Sequence, residues 1–450
     1  MSIFAPDINL TFSKYPPIFF QVNKINRLMK FENMNIIEPI LKALKDKNYT
    51  EPTSIQNKAI PIILEGNDVL GSAQTGTGKT AAFAVPIIQH IHQTEKHQKG
   101  KAKIRSLIVT PTRELAIQID ENIREYSKYT NIKHTVIFGG VKQGKQVDKL
   151  RNGVHILTAT PGRLLDLINQ GFISLNDLNI FVLDEADRML DMGFIHDIRK
   201  IIKLLPYKRQ SLFFSATMPR NIVELSSKIL KNPKKIEVNP VSSTAETIQQ
   251  YVYYTNKSSK KDVLLYILQN IENEQVLLFS RTKHGADKIA RNLKKQKIHS
   301  AAIHGDKAQN NRQKVLRMFK AGELRVLVAT DIAARGIDIQ KLKYVINYDI
   351  PNVAEDYVHR IGRSGRAGEA GNSISICEPE ENVYIRDIEK LINLKIQIIK
   401  NHPFPQTEKP MTQAEKKEFE KEKQRRKQEF FANRKKKQTN SYSSGNKRRR

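Results

Sequence analysis

The sequence predicts an α/β protein of two tandem domains, each a mainly parallel sheet covered by helices, with a basic C-terminal tail. Three observations predict it. Short, almost uninterrupted apolar runs alternate with stretches of helical length, the alternation pauses at one polar segment and resumes, and a lysine- and arginine-rich end follows. Strands buried on both faces read as continuous apolar runs, and alternation with helices is the mark of parallel pairing. At 450 residues the chain exceeds one ordinary core, which at roughly 100 to 200 residues per domain means two or three units.

Residues 1–28 mix aromatics with a proline pair and show no assignable period. The first domain is assigned to residues 29–238. Its strand candidates are Asp68 to Leu70, Leu107 to Val109, Thr135 to Phe138, His155 to Leu157, Phe181 to Leu183 and Ser211 to Phe214, and it closes with Ile236-Glu237-Val238. Residues 239–247 carry Pro240, Ser242, Ser243 and Thr244 and read as a linker. The second domain, residues 248–400, offers Gln250 to Thr255, Val276 to Phe279, Ser300 to Ile303, Arg325 to Ala329, Tyr344 to Asn347 and Ser373 to Cys377. Residues 401–450 hold sixteen Lys or Arg against six Glu and no Asp, so a packed core is not expected there. Thr412 and Glu415 match a capping box that would start a helix in this tail.

A formal charge of +30, from 76 Lys and Arg against 46 Asp and Glu, is the footprint of a polyanion binder and exceeds what solubility requires. Cys377 is the single cysteine, which excludes an intramolecular disulfide and a cysteine metal cluster and fits a reducing compartment; it is read as a small buried hydrophobe. No apolar run approaches the ~18 residues that would span a bilayer, so a cytoplasmic protein without membrane contact is expected. His90, His92 and His97 lack an orienting carboxylate and are not read as a metal site.

Chemistry enters at two strand ends. Ala73-Gln74-Thr75-Gly76-Thr77-Gly78-Lys79-Thr80 lies between a strand candidate and a helical Ala-rich stretch. That is the context of a phosphate-cradling loop, with glycines for close backbone approach, Lys79 for the β and γ phosphates and Thr80 for Mg2+. Asp184-Glu185-Ala186-Asp187 follows the apolar run Ile180 to Leu183, at the strand end where open α/β sheets bind ligands. Asp184 suits an outer Mg2+ ligand, through water, and Glu185 suits the group that orients or deprotonates attacking water. Loop and carboxylates together indicate hydrolysis of a nucleoside triphosphate.

The remaining motifs resemble those of DEAD-box ATP-dependent RNA helicases, in order and over about Phe31 to Lys400. Pro52, Thr53 and Gln56 resemble the adenine-reading Q motif, with Tyr49 beside it and Phe31 at the place of its isolated upstream aromatic. Asn48 stands where the family usually has Gly, and Asn is the next best residue at a left-handed helix end. Pro111, Thr112 and Arg113, then Gly139 and Gly140, then Thr160, Pro161 and Arg163 resemble the RNA motifs of the first domain. Ser215 and Thr217 resemble the motif that couples hydrolysis to RNA binding, with His359 of the second domain as its partner in coupling. Arg281, Arg312 and Thr330 stand where the second domain touches RNA backbone, and Gly336 and Asp338 where it meets ATP. In His359-Arg360-Ile361-Gly362-Arg363-Ser364-Gly365-Arg366, Arg363 and Arg366 resemble arginine fingers aimed at the γ-phosphate.

The resemblance implies two tandem RecA-like domains, ATP and Mg2+ as cofactors, and catalysis divided between Lys79, Asp184 and Glu185 on one domain and Arg363 and Arg366 on the other. It implies a monomer that grips single-stranded and duplex RNA by its backbone, largely without regard to sequence, and separates strands when the domains close. Ribosomal or degradation complexes are partner classes that the sequence leaves open, and the compact core with a short basic extension resembles the bacterial RhlE-type branch. The competing readings are a non-enzymatic RNA-binding or annealing protein with a vestigial nucleotide site, and a helicase acting on DNA strands.

Overall fold

The computed structural model describes residues 30–412 apart from 74–75, 96–99, 239–247, 272–273, 335–341 and 365–370, together with a few positions between 415 and 429. Fourteen strands are described: β1 Val69–Ala73, β2 Ser106–Val109, β3 His134–Ile137, β4 Ile156–Ala159, β5 Ile180–Leu183, β6 Gln210–Ser215, β7 Lys234–Val238, β8 Ile248–Tyr254, β9 Val276–Phe279, β10 Ser300–Ile303, β11 Val326–Ala329, β12 Tyr344–Asn347, β13 Gly371–Cys377 and β14 Gln397–Ile398. They form two seven-stranded sheets, ordered β3-β4-β2-β5-β6-β1-β7 and β10-β11-β9-β12-β13-β8-β14. Every pairing in both is parallel. The second order is the first advanced by seven strands, so one winding is used twice. This is the tandem RecA-like architecture, and in it all strand C-termini of a sheet open on the same rim.

Burial explains which strands were legible. β2, β4, β5, β9 and β11 are buried at every position. Successive residues feed opposite faces: Ile108, Ile180 and Val182 pack on one side of the first sheet, Leu107, Val109, Phe181 and Leu183 on the other. The edge strands β7 and β14 are largely exposed, and β14 gave no apolar run from which to predict it. β9, β10 and β12 have the expected bounds and the other expected strands differ by one to three residues at an end; β1 runs on to Ala73 because Gly71 and Ser72 continue its ladder against β6 and β7.

Two helix boundaries matter for the site. Helix Glu38–Asp46 ends with Tyr49 N–H donating to Leu44 O (3.0 Å) and Asn48 N–H to Lys45 O (2.9 Å), with Asn48 at φ +56°. That left-handed cap turns the chain into the Tyr49 to Gln56 segment, and Asn tolerates it where most residues would not. Helix Ala186–Asp191 begins directly after Glu185, which is itself left-handed at φ +56°, ψ +50°.

The chain does not leave the second domain at Lys400. β14 pairs with β8, Phe404 packs against the core, Gln406 N–H donates to Tyr254 O (3.1 Å), and the Thr407 and Glu408 amides donate to Asn256 Oδ1. The tail therefore starts near Thr412, whose hydroxyl accepts from Glu415 N (3.3 Å) while Glu415 Oε2 accepts from Thr412 N (2.6 Å), the expected reciprocal cap. The positions described between 415 and 429 are helical. Cys377 is buried at the end of β13, and burial pushes its thiol well above the ordinary range. No helix among the described residues is long and apolar enough to cross a membrane.

Gly71 pairs with Phe214 across β1 and β6, and a Cβ there would sit 2.6 Å from the Phe214 ring. Gly71→Ala is expected to destabilise the first domain by about 1–3 kcal/mol, since a close-packed core has no room for the methyl. Thermal melting followed by circular dichroism checks this.

Candidate functional site

The phosphate loop opens between β1 and helix Lys79–Glu95, with Gly76 at φ +92° and Gly78 at φ +94°, values that favour glycine. Lys79 is buried, donates to Ala73 O (3.0 Å) and lies 3.8 Å from Asp184 Oδ1. Asp184 extends the β5 ladder by one bond, Asp184 N–H to Val109 O (3.0 Å), which fixes its carboxylate opposite the loop. The left-handed turn at Glu185 then throws the next side chain back toward the same space, where Arg188 Nη1 donates to Glu185 Oε2 (2.9 Å) with both groups buried. A non-glycine residue in this conformation is strained, and such strain collects at functional sites.

These groups line a cavity of about 920 Å³ that also takes in Tyr49, Thr53, Gln56, Gly76, Gly78, Thr80 and, from the second domain, Lys320. Burial raises the Asp184 carboxyl to about 6; Lys79 opposes the rise and Glu185 adds to it. Asp184 Oδ1 is buried and takes no hydrogen bond from the described residues. A hydroxyl and one carboxylate oxygen fit Mg2+, which keeps several waters and needs only one or two protein ligands.

Asp187, the last residue of the acidic string, has a role that sequence reading missed. Its Oδ2 accepts from Ala216 N (3.1 Å), Thr217 N (2.9 Å) and Thr217 Oγ1 (3.1 Å), while Asp187 N–H donates to Ser215 Oγ (3.2 Å). Ser215 Oγ in turn donates to Thr217 O (2.8 Å). The end of β6 is thus locked to the turn that carries Glu185. The sequence signal was an Asp in the first turn of a helix with no partner nearby in sequence.

Gln56 is placed differently from expectation. Its Oε1 accepts from Thr53 N (2.9 Å) and its Nε2 donates to Gly78 O (3.1 Å), and a Cβ on Gly78 would collide with that amide. The amide therefore braces the phosphate loop and keeps one N–H and one lone pair for anything else. Phe31 is buried in the core of the first domain and does not line the cavity, because its short 3-10 turn packs inward.

Several of the residues expected at RNA meet in a second groove of about 470 Å³, lined by Pro111, Thr112, Arg113, Glu114, Gly139, Thr160, Gly162 and Arg163 from one domain and Gly305 and Arg312 from the other. Thr112 Oγ1 caps helix Arg113–Tyr126 by accepting from Leu115 N (3.3 Å), and Pro161 starts helix Pro161–Asn169. The Arg113 guanidinium lies against the α-carbon of Gly140, at φ +78°, and Arg163 Nη2 donates to Val141 O (3.1 Å). Arg312, expected at RNA, is instead buried in a bond to Glu114 Oε2 (2.9 Å), beside Gln309 Nε2 donating to Glu114 Oε1 (2.9 Å). Glu114 was not assigned a role from sequence; its partners lie about two hundred residues away. Arg281 Nη2 donates to Ile350 O (2.9 Å) and Glu381 Oε1 (2.6 Å), and Thr330 sits at the end of β11.

Of the three arginines in the last motif, Arg360 is structural. Its guanidinium donates to both Asp331 oxygens (2.6 and 2.8 Å), to Asn347 Oδ1 (3.2 Å) and to Asp349 O (2.6 Å). Arg360 and half-buried His359 lie on helix Ala354–Ile361. Arg363 is buried at that helix's end and does not line the nucleotide cavity, so this conformation does not bring it to the phosphate loop. Gln74, Thr75, Gly336, Asp338 and Arg366 lie outside the described residues.

Two RecA-like domains, with a phosphate loop and paired carboxylates on the first, define a nucleotide hydrolase of the tandem-domain type. Residues 53–225 match the DEAD/DEAH box helicase family model and residues 259–368 the helicase conserved C-terminal domain. The chain is 41% identical over 368 residues to the ATP-dependent RNA helicase CshA of Limosilactobacillus reuteri, covering 82% of this chain and 73% of that protein. It is 42% identical over 369 residues to the ATP-dependent RNA helicase DbpA of Bacillus subtilis, covering 82% and 76%. Among solved structures, Dbp5 of S. cerevisiae bound to RNA and ADP BeF3 superposes with a TM-score of 0.73 at 30% identity, covering 82% of this chain and 95% of that one. The chain belongs to the DEAD-box RNA helicase family.

Gly78→Ala would force a left-handed alanine against Gln56. The strain of about 1–2 kcal/mol alone should weaken nucleotide binding about tenfold, more if Gln56 is displaced. Titration with a fluorescent ADP analogue reads the loss, and a melting temperature lowered by only a few degrees shows that the fold survives.

Proposed function

We infer that this protein is an ATP-dependent RNA helicase, coupling ATP binding and hydrolysis to local RNA duplex unwinding or RNP remodelling through closure of two domains. The observation that carries the reading is the contact of Glu114 with Gln309 and Arg312. It joins the two domains at the groove where the RNA motifs converge, while the nucleotide groups line a separate cavity beside the same interdomain cleft. RNA in the groove and ATP in the cavity would then each favour the closed state, and each would raise affinity for the other. RNA-bound relatives and the ATP-dependent helicases among the sequence relatives support it.

Within the nucleotide site, the loop amides and Lys79 bind the phosphates, and Gln56 and Tyr49 flank the loop at its entrance. Mg2+, held by Thr80 and by Asp184 through water, would supply charge neutralisation on the phosphates when bound. Glu185 orients attacking water and holds its proton, kept in place by Arg188. Asp187 links this turn to Ser215 and Thr217, so a shift of the β6 end would be felt at Glu185; His359 is the proposed contact from the other domain. Arg363 and Arg366 complete the γ-phosphate clamp only after further closure, with Gly336 and Asp338 meeting the nucleoside.

Pro111, Thr112, Arg113, Gly139, Gly140, Thr160, Pro161, Arg163, Arg281 and Thr330 are the proposed backbone grip on RNA, whereas Arg312 acts by joining the domains. Both halves of the site reside in one chain, which supports action as a monomer. The single cysteine supports a cytoplasmic setting, and the compact core with a short basic extension supports a place in the RhlE-type branch.

Lys79→Ala and Glu185→Gln should each lower RNA-stimulated ATP hydrolysis by about 10²–10⁴-fold while the protein still melts cooperatively. Full activity in both variants would refute the enzymatic reading. A duplex with a deoxyribose loading strand should unwind poorly, since 2′-hydroxyl contacts distinguish RNA. Truncation after Met411 should weaken RNA binding about tenfold and flatten its salt dependence, measured by fluorescence anisotropy across a salt series.

A further inference from the structure

The second domain buries a charged cluster directly beneath Arg281. Glu381 closes the 3-10 turn Pro379–Glu381 that follows β13, and only 1% of its surface is exposed. Both of its oxygens are used twice: Oε1 accepts from Arg281 Nη2 (2.6 Å) and Ile350 N (3.1 Å), Oε2 from Lys260 Nζ (2.8 Å) and Glu378 N (3.3 Å). Lys260 is buried and also lies 3.7 Å from Asp349 and 3.9 Å from Glu378. Asp349 Oδ2 accepts from Arg281 N (2.8 Å) and Ser280 Oγ (3.0 Å). The arginine is therefore held at its backbone by Asp349 and at one nitrogen of its guanidinium by Glu381 and Ile350 O, while 41% of its side chain stays exposed.

A buried carboxylate left without partners is costly, so a site that spends four donors on Glu381 holds it rigidly. Burial pushes the Glu381 carboxyl upward and Lys260 pulls it back, which marks Lys260 as its principal counter-ion. A surface arginine normally loses rotamer freedom when it grips a phosphate; one already anchored along one edge loses less and presents its remaining N–H groups in a fixed direction. The carboxylate is buried behind the guanidinium and carries its own lysine, so it orients the arginine without claiming the exposed edge.

We propose that Glu381 is a positioning residue for RNA binding, with Lys260 as its counter-ion, holding Arg281 so that the free edge of its guanidinium meets the RNA backbone. This rests on reading Arg281 as an RNA ligand, and the two can fail separately. The test is ATPase stimulation by a single-stranded oligouridine, giving kcat and the half-saturating RNA concentration for the intact chain and for R281A, E381Q and the double variant. R281A should raise the half-saturating concentration about tenfold. E381Q should raise it about threefold to tenfold with kcat at saturating RNA unchanged, and should add nothing in the R281A background. No effect of R281A would sink the RNA reading of Arg281 and the proposal with it. A clear R281A effect beside a neutral E381Q, or an E381Q loss that persists undiminished in R281A, would overturn the positioning role alone. Should E381Q fail to fold, E381D decides. The shorter side chain keeps a buried negative charge for Lys260 but draws back from the Arg281 guanidinium, so it should raise the half-saturating RNA concentration at least threefold and add nothing in the R281A background; binding as tight as the parent would overturn the proposal.

Discussion

Charge buried at the C-terminal rims of two parallel sheets is the constraint on which this molecule rests. Parallel strands covered on both faces leave their functional side chains at strand ends, where water is scarce and an unpaired carboxylate or guanidinium is expensive. Six carboxylates described there each have a specific partner. Asp184 faces Lys79, Glu185 holds Arg188, Asp187 takes three donors from the end of β6, Glu114 takes Gln309 and Arg312, Asp331 takes Arg360, and Glu381 takes Lys260 and Arg281. The pairs differ in what they join: two elements of one domain, or one domain and the other.

This pairing ties chemistry to conformation. The carboxylate of Asp187 makes the β6 end and the Glu185 turn one unit, and Glu114 makes the first domain's RNA edge and the helix Gln309–Lys320 another. Arg363 is buried within the second domain and does not line the nucleotide cavity. In this conformation the two domains are joined through Glu114, Gln309 and Arg312. The two sheets share one winding, yet only the first carries a phosphate loop.

Legibility followed burial. β2, β5, β9 and β11 could be read because both faces of each strand are covered and all positions but Ser106 are apolar, whereas β14 could not, because an exposed edge strand carries no such pattern. The phosphate loop and the Asp184–Glu185 pair were legible because their chemistry needs particular residue types at fixed spacing beside a strand. Arg312 and Gln56 were read only in part, for the opposite reason. Each lines the groove or cavity its type suited, but the protein groups that also bind it, Glu114 and Gly78, are set by folding and not by spacing.

From its sequence alone the protein is determined to be a two-domain α/β nucleotide hydrolase with a strong pull toward polyanions, because apolar patterning, the glycine-rich loop and net charge are local or additive properties. Which buried charge meets which was decided only by the tertiary structure. A carboxylate such as Asp187, Glu114 or Glu381 chooses its partner by what the crossover connections bring to the same rim, and in water the same side chains would have no preference at all.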